Sequence, residues 1–360
     1  MKEIDKKSII AGIEKQFQSW FQVTSDEIEL MEPSVGHKLP TPELTLRVLD
    51  KVFRVAYSKE VGTAKILSTV EGVQNNLKPE AARPVICVVP YMTKKGKEKC
   101  GEYNLSWLDL SGNAHIEEPP IYVHVEGKEN RFKQSGRPAS VFAPEASKIP
   151  LTFLLNPKKS FTVKEIVQEA EVSSGTASRV TRRLESLGFI RKIEKKGRSK
   201  PYELKNPFTM LDAWAEDYDF SRHEVTKGAI AETRGGSALS SLKVPLGSLE
   251  GEYCLSGPRA AEFYGVSSGS PLTVVYIGSL PSEGALKRAN FVKGKRGSNL
   301  WLVEPRTSGV FMGTEDKDGL SVVNQIQLYL DLQSIKAQRS EDLAEELFLK
   351  IKRELEDAGF

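Results

Sequence analysis

The chain has 360 residues, 39% hydrophobic and 28% charged, with a formal net charge of +3. That length suits two or three domains with cores of their own, and no run of eighteen apolar residues exists to suggest a membrane-spanning helix. Cys87, Cys100 and Cys254 are scattered and form neither a Cys-x-x-Cys pair nor a disulfide framework, so no metal site or cofactor is expected and the chain reads as a protein of the reducing cytoplasm.

Residues 1–21 are charged throughout and lack the apolar stretch of a secretory signal. Ile9, Ile10, Ile13, Phe17 and Phe21 fall at helical spacing and predict an amphipathic helix. Residues 43–57 alternate apolar and polar twice about Asp50 and Lys51, which predicts a hairpin. A helix over 63–77 follows, with Ile66, Leu67, Val70 and Val73 inward. Residues 84–89 are a continuous apolar run, the pattern of a strand buried on both faces. A polar helix over 94–103 leads to strands over 105–110, 114–116 and 121–126, the first two joined by a Ser111-Gly112-Asn113 turn. Residues 134–143 look like an exposed linker. Together these elements predict an N-terminal α/β domain over residues 1–145.

Asp109 ends one of these strands, and Glu126-Gly127-Lys128 ends a later one. This order is similar to the metal-binding core of the PD-(D/E)xK nucleases. The resemblance implies a restriction-endonuclease-like fold in which two carboxylates hold Mg²⁺ and the lysine orients an attacking water. Asp109 also suits the start of the turn at Ser111, and Lys128 suits a solvated strand end. The expectation is an inactive copy of that fold, with Asp109, Glu126 and Lys128 the only catalytic candidates and no bound metal. His115 and His124 lie on neighbouring strands with no third ligand in sequence reach, and read as exposed strand histidines.

Residues 146–206 carry fourteen Lys and Arg against six Glu, a net +8 that leaves the other 299 residues at −5. A basic island in an otherwise acidic chain is the footprint of a phosphate-backbone partner. Residues 149–155 can form a first helix. Val163, Ile166, Val167 and Ala170 share one face of a second, with Thr162 and Glu165 set for a capping box. After a break at Glu171, Val172 and Ser173, a third helix runs from Ser174 to Leu187 with Ala177, Val180, Leu184 and Leu187 inward. Gly188 ends it in the left-handed conformation. Residues 189–193 and 201–204 then form a hairpin.

Two short helices joined by so tight a turn make a helix-turn-helix. The outer face of the later helix presents Ser174, Thr176, Ser178, Arg179, Arg182 and Arg183, and the hairpin tip presents Lys195, Lys196, Arg198 and Lys200. Small hydroxyls at the helix start allow close approach to phosphate, and arginines one and two turns on can reach guanine edges. The string resembles the MarR-type winged helix-turn-helix regulators of bacteria, which implies that these ten residues contact double-stranded DNA.

Residues 207–360 predict a third, α/β domain. A helix contains Trp214, a strand enters a helix through Ser256-Gly257-Pro258, strands cover 272–277 and 298–303, and helices cover 324–332 and 340–358, the last with Ser340 as N-cap. The strings Tyr253 to Gly265 and Val322 to Leu332 are similar to the antitoxin and regulator family of type IV abortive-infection toxin–antitoxin systems. That resemblance implies a nucleotidyltransferase-like C-terminal fold and a cognate toxin as protein partner. A Gly-Ser turn followed by an Asp-x-Asp pair would be needed for nucleotidyl transfer. Gly235-Gly236-Ser237 is followed by no acidic pair, and Asp316 and Asp318 read as turn residues before Gly319.

The expected architecture is therefore α+β and multidomain, with boundaries at 145/146 and 206/207. The expected function is a cytoplasmic, sequence-specific DNA-binding regulator, not an enzyme, possessing neither cofactor nor membrane contact, with a homodimer left open. A metal-dependent nuclease and a protein-interaction scaffold are the alternatives.

Overall fold

The computed structural model describes residues 4–32, 42–60, 63–76, 83–132, 140–194, 200–230, 252–267, 269–294, 297–337 and 339–360. The fold is mixed α+β and divides into two compact units, Met1–Ala139 and Ser140–Phe360.

In the first unit, α1 (Lys6–Phe21) starts at Asp5, whose carboxylate accepts the Ser8 N–H at 2.9 Å. Its apolar positions bury Ile9, Ile13 and Phe17, with Ile10 and Phe21 at the margin of the same core. Seven strands follow in sequential spatial order: β1 (Ile28–Met31), β2 (Glu43–Val48), β3 (Lys51–Tyr57), β4 (Val85–Val89), β5 (Ser106–Asp109), β6 (Ala114–Glu118) and β7 (Ile121–Val125). β3, β4 and β5 are parallel, and the other neighbours are antiparallel. Parallel neighbours need crossovers, and the helices α2 (Thr63–Gln74) and α3 (Lys94–Glu102) supply them.

Side chains alternate across this sheet, which gives two cores. Leu44, Leu46, Val55, Val88, Leu108 and Ile116 pack with α1, while Val85, Cys87, Val89 and Trp107 pack with Ile66, Val70, Val73 and Cys100 of α2 and α3. The β2–β3 loop is Leu49-Asp50, one residue earlier than the sequence pattern predicts. Both residues have positive φ, 48° and 60°, between the paired Val48 and Lys51. The β1 strand is an addition to the predicted elements.

The second unit begins with a segment expected to be an exposed linker. Over its described part, 140–143, the expectation fails: Val141 and Phe142 are buried. Phe142 stacks on Trp214 with ring centroids 5.4 Å apart and planes 9° apart, and its ring lies 6.3 Å from that of Phe189. Ser140 donates its hydroxyl to Asp217 at 2.8 Å. Trp214 and Asp217 belong to α7 (Pro207–Asp217). Between these two stretches lie α4 (Lys148–Leu155), α5 (Val163–Glu169), α6 (Ser174–Ser186) and the hairpin β8 (Ile190–Lys192) with β9 (Tyr202–Leu204). Phe161, ahead of α5, bridges to Tyr202, so the hairpin is tied back to the helices.

Beyond α7 a second seven-stranded sheet has the order β13-β10-β14-β12-β11-β16-β15 and mixes parallel with antiparallel neighbours. Its strands are β10 (Glu224–Ala229), β11 (Tyr253–Ser256), β12 (Thr273–Ile277), β13 (Val292–Lys293), β14 (Leu300–Glu304), β15 (Glu315–Lys317) and β16 (Leu320–Val322). The short helices α8 (Gly257–Ala260) and α9 (Glu283–Arg288) connect strands, and α10 (Gln325–Ser334) and α11 (Ser340–Asp357) follow the last. Asp318 and Gly319 form the β15–β16 turn at φ 55° and 77°, and Asp316 accepts the Gly319 N–H. Ser340 is not the cap of the last helix: Arg339 holds the cap position at φ 62°, and Ser340 is buried as the first helical residue. Gly235, Gly236 and Ser237 lie outside the described residues.

A buried polar cluster joins α7 to this sheet. Asp331 of α10 accepts hydrogen bonds from Ser256, Tyr218, Tyr276 and Gln327. Burial raises its pKa to about 6, against the four donors, which lower it. His223 accepts the Arg306 N–H at Nδ1, 3.2 Å away, so the neutral ring carries its proton on Nε2 and donates to Tyr218 Oη at 3.1 Å. Burial, then the Arg306 charge, lowers its pKa to about 4.

Candidate nucleic-acid interface

The geometry of the basic segment starts from α5. Thr162 caps it and accepts the Glu165 N–H, while the Glu165 carboxylate accepts the Thr162 N–H at 2.7 Å, closing the box in both directions. The helix stops at Ala170, and Glu171 turns the chain at φ 48°. Ser173 caps α6, which begins at Ser174 as expected: its hydroxyl accepts the Thr176 N–H at 3.2 Å. At the other end Gly188, at φ 76°, donates to Glu185 O, and Phe189 N–H reaches back to Leu184 O. Both bonds are those of a Schellman motif.

Ala177, Val180, Leu184 and Leu187 are all buried, joined by Thr181, and this fixes which side of α6 faces outward. Ser174, Arg179 and Arg182 are exposed, and Thr176, Ser178 and Arg183 are partly so. The structure therefore brings all six predicted residues of this helix to its open side. Arg182 is braced by its own Nε on Ser178 O at 3.1 Å, and Arg183 bonds the Ser186 hydroxyl. Arg179 has no ion-pair partner among the described residues.

Two described basic residues of the hairpin are engaged by carboxylates. Arg191 pairs with Glu203 across the two strands, and Lys200 pairs with Glu194. Lys195, Lys196 and Arg198 lie outside the described residues. Lys164 on α5 and Lys192 on β8 are exposed basic side chains that the predicted contact set omits, although both lie in the basic segment. Lys192 sits 5.5 Å above the Tyr202 ring. On another side of the helices a cleft of about 690 Å³ is lined by Lys148, Leu155, Glu169, Glu171, Glu252 and Phe311, with neighbours. Three carboxylates line that cleft, whereas the outer side of α6 carries arginines.

The other predicted constellation is built differently. Asp109 is fully buried at the end of β5. One carboxylate oxygen accepts the N–H groups of Ser111, Gly112 and Asn113 at 2.9, 2.9 and 3.0 Å; the other accepts the Met92 N–H and the Asn113 side-chain amide. Five donors occupy it. Glu126 is exposed and paired with Lys97 at 2.8 Å, which holds its pKa below the ordinary carboxylate value. Lys128 meets Asn113 through its main chain, donating its N–H to Asn113 Oδ1 and accepting from Asn113 Nδ2. Asp109 serves the turn and shares Asn113 with the Lys128 main chain, while the Glu126 carboxylate is turned to Lys97. Among the described residues no group of three or more His, Cys, Asp or Glu is arranged to hold a metal ion.

No protein-family model matches the chain, and no curated protein or solved structure is detectably similar to it. Among the described residues no helix is long and apolar enough to cross a membrane.

Proposed function

We propose that residues 146–206 form a winged helix-turn-helix that binds double-stranded DNA, and that the chain is a sequence-specific, cytoplasmic transcriptional regulator rather than an enzyme. The observation that carries this reading is the pair Arg179 and Arg182 on the open side of a helix whose opposite stripe is fully buried. Long guanidinium groups there can read guanine edges in a major groove, while the hydroxyls of Ser174, Thr176 and Ser178 lie toward the positive end of the helix dipole. Phosphate contacts from the wing then set register without reading sequence. Within the same proposal, the sheet of residues 207–360 is the surface for a protein partner, such as the toxin of a toxin–antitoxin or defence locus. The N-terminal unit is a restriction-endonuclease-like module without catalysis. The saturated carboxylate of Asp109 favours that over a nuclease.

Mobility shifts with the full chain and a selected DNA site test the reading. Neutralising five or six phosphates gives a slope of log affinity against log salt of about −5, roughly 0.9 per contact. Arg179→Ala and Arg182→Ala should each reduce discrimination between selected and random duplex by about 1–3 kcal/mol. Lys195→Ala and Lys196→Ala should weaken both duplexes equally and flatten the slope by about one unit each. Absence of any shift at low salt sinks the proposal.

A further inference from the structure

The side of the first sheet that carries α2 and α3 is open over β6 and β7, and there His115 and His124 stand directly opposite one another. Their Nδ1 atoms are 3.1 Å apart, and the rings meet edge to face with centroids 5.4 Å apart at 86°. Nε2 of His115 lies 3.4 Å from a carboxylate oxygen of Glu117. A carboxylate in that place favours a ring proton on Nε2, which leaves the Nδ1 lone pair on the side of His124. Two nitrogen lone pairs cannot face each other at this distance without a positive centre between them. One proton can fill that role, and so can one metal ion.

We propose that His115 and His124 chelate a single divalent transition-metal ion through their Nδ1 atoms. Two nitrogens each about 2.05 Å from one ion stand about 2.9 Å apart at a right angle and about 3.3 Å apart at the tetrahedral angle. The observed 3.1 Å falls between these values. Imidazole donors select Cu²⁺, Ni²⁺ or Zn²⁺ over Mg²⁺ or Ca²⁺, and Glu117 supplies the outer carboxylate that commonly orients a metal-bound histidine. Glu126, just beyond the end of β7, is engaged by Lys97 and acts as a nearby charge. With two protein donors the remaining coordination positions go to water, which leaves the ion open to an exogenous ligand. The site is separate from Asp109, whose carboxylate is filled by its turn.

Calorimetric titration of the untagged full chain with Cu²⁺, Ni²⁺, Zn²⁺ and Mg²⁺ tests this, with histidine ring signals followed by NMR. One ion per chain is expected, tightest for Cu²⁺ and undetectable for Mg²⁺, with the His115 and His124 signals affected first. His124→Gln and His115→Gln should each weaken Ni²⁺ binding at least tenfold while circular dichroism stays unchanged. His37→Gln and His223→Gln should retain parental binding. A parent that binds no ion has a pair sharing only a proton, and the proposal falls. It falls equally if Ni²⁺ binding survives both pair variants.

Discussion

Asp109 shows how one buried side chain can look catalytic in sequence and be architectural in the fold. Its two oxygens accept five N–H donors, four of them from the main chain. Each buried donor left unmatched costs roughly 1–3 kcal/mol, so Asp109→Ala should destabilise the protein by about 3 kcal/mol or more in urea unfolding. Asp109→Asn keeps one accepting oxygen for Ser111, Gly112 and Asn113 and loses the other, so its cost should lie between. Supercoiled DNA with Mn²⁺ should stay intact with parent and variants alike; nicking by the parent that Asp109→Ala abolishes would restore the nuclease reading.

Two hairpins in this chain have the same two-residue geometry and opposite suitability for it. Asp318-Gly319 pairs the residue types favoured where both positions need positive φ, while Leu49-Asp50 places a large side chain in the same conformation. A left-handed backbone costs an ordinary residue roughly 1–2 kcal/mol. The double change Leu49→Asn, Asp50→Gly should therefore stabilise the chain by about 1 kcal/mol or more, read as a raised midpoint in thermal unfolding. An unchanged or lowered midpoint would mean that Leu49 makes up its backbone cost elsewhere. The contrast also explains what was legible in the sequence. The α6 stripe, the Thr162–Glu165 box and the left-handed Gly188 are local, and periodicity or residue type announces them. The Leu49 turn shifts by one residue because leucine signals nothing about positive φ. The burial of Phe142 escapes notice because its partner Trp214 is remote in sequence and the stretch around it, residues 135–144, is rich in Gly, Pro, Ala and Ser. The histidine pair is half legible: alternation puts His115 and His124 on strands, but their meeting depends on the pairing of Glu118 with Ile121.

For the whole molecule, the cluster around Asp331 sets a dependence on pH that two groups pull in opposite directions. The Asp331 pKa is raised from 3.8 to about 6, so the folded chain holds a proton that the unfolded chain releases, and this contribution falls as pH rises through that interval. The His223 pKa is lowered from 6.5 to about 4, so the unfolded chain takes up a proton first, and this contribution is lost as pH falls. At about 1.4 kcal/mol per unit each amounts to about 3 kcal/mol, and the two nearly cancel between pH 4 and 6. His223→Gln should expose the Asp331 part, with urea midpoints that decline relative to the parent as pH rises. Asp331→Asn should expose the opposite slope. Parallel profiles for parent and both variants would show that neither group titrates differently on folding.

The clasp of Ser140 and Phe142 on α7 means that the chain enters and leaves the three-helix segment at a single joint. A transplant that starts at Ala146 and stops at Asn206 severs both halves of that joint and strips Phe142 from Phe189. The portable cassette is therefore longer at each end than its charge pattern suggests, running from Ser140 through Tyr218. Anyone grafting this segment onto another protein would need to carry the fastener along with it.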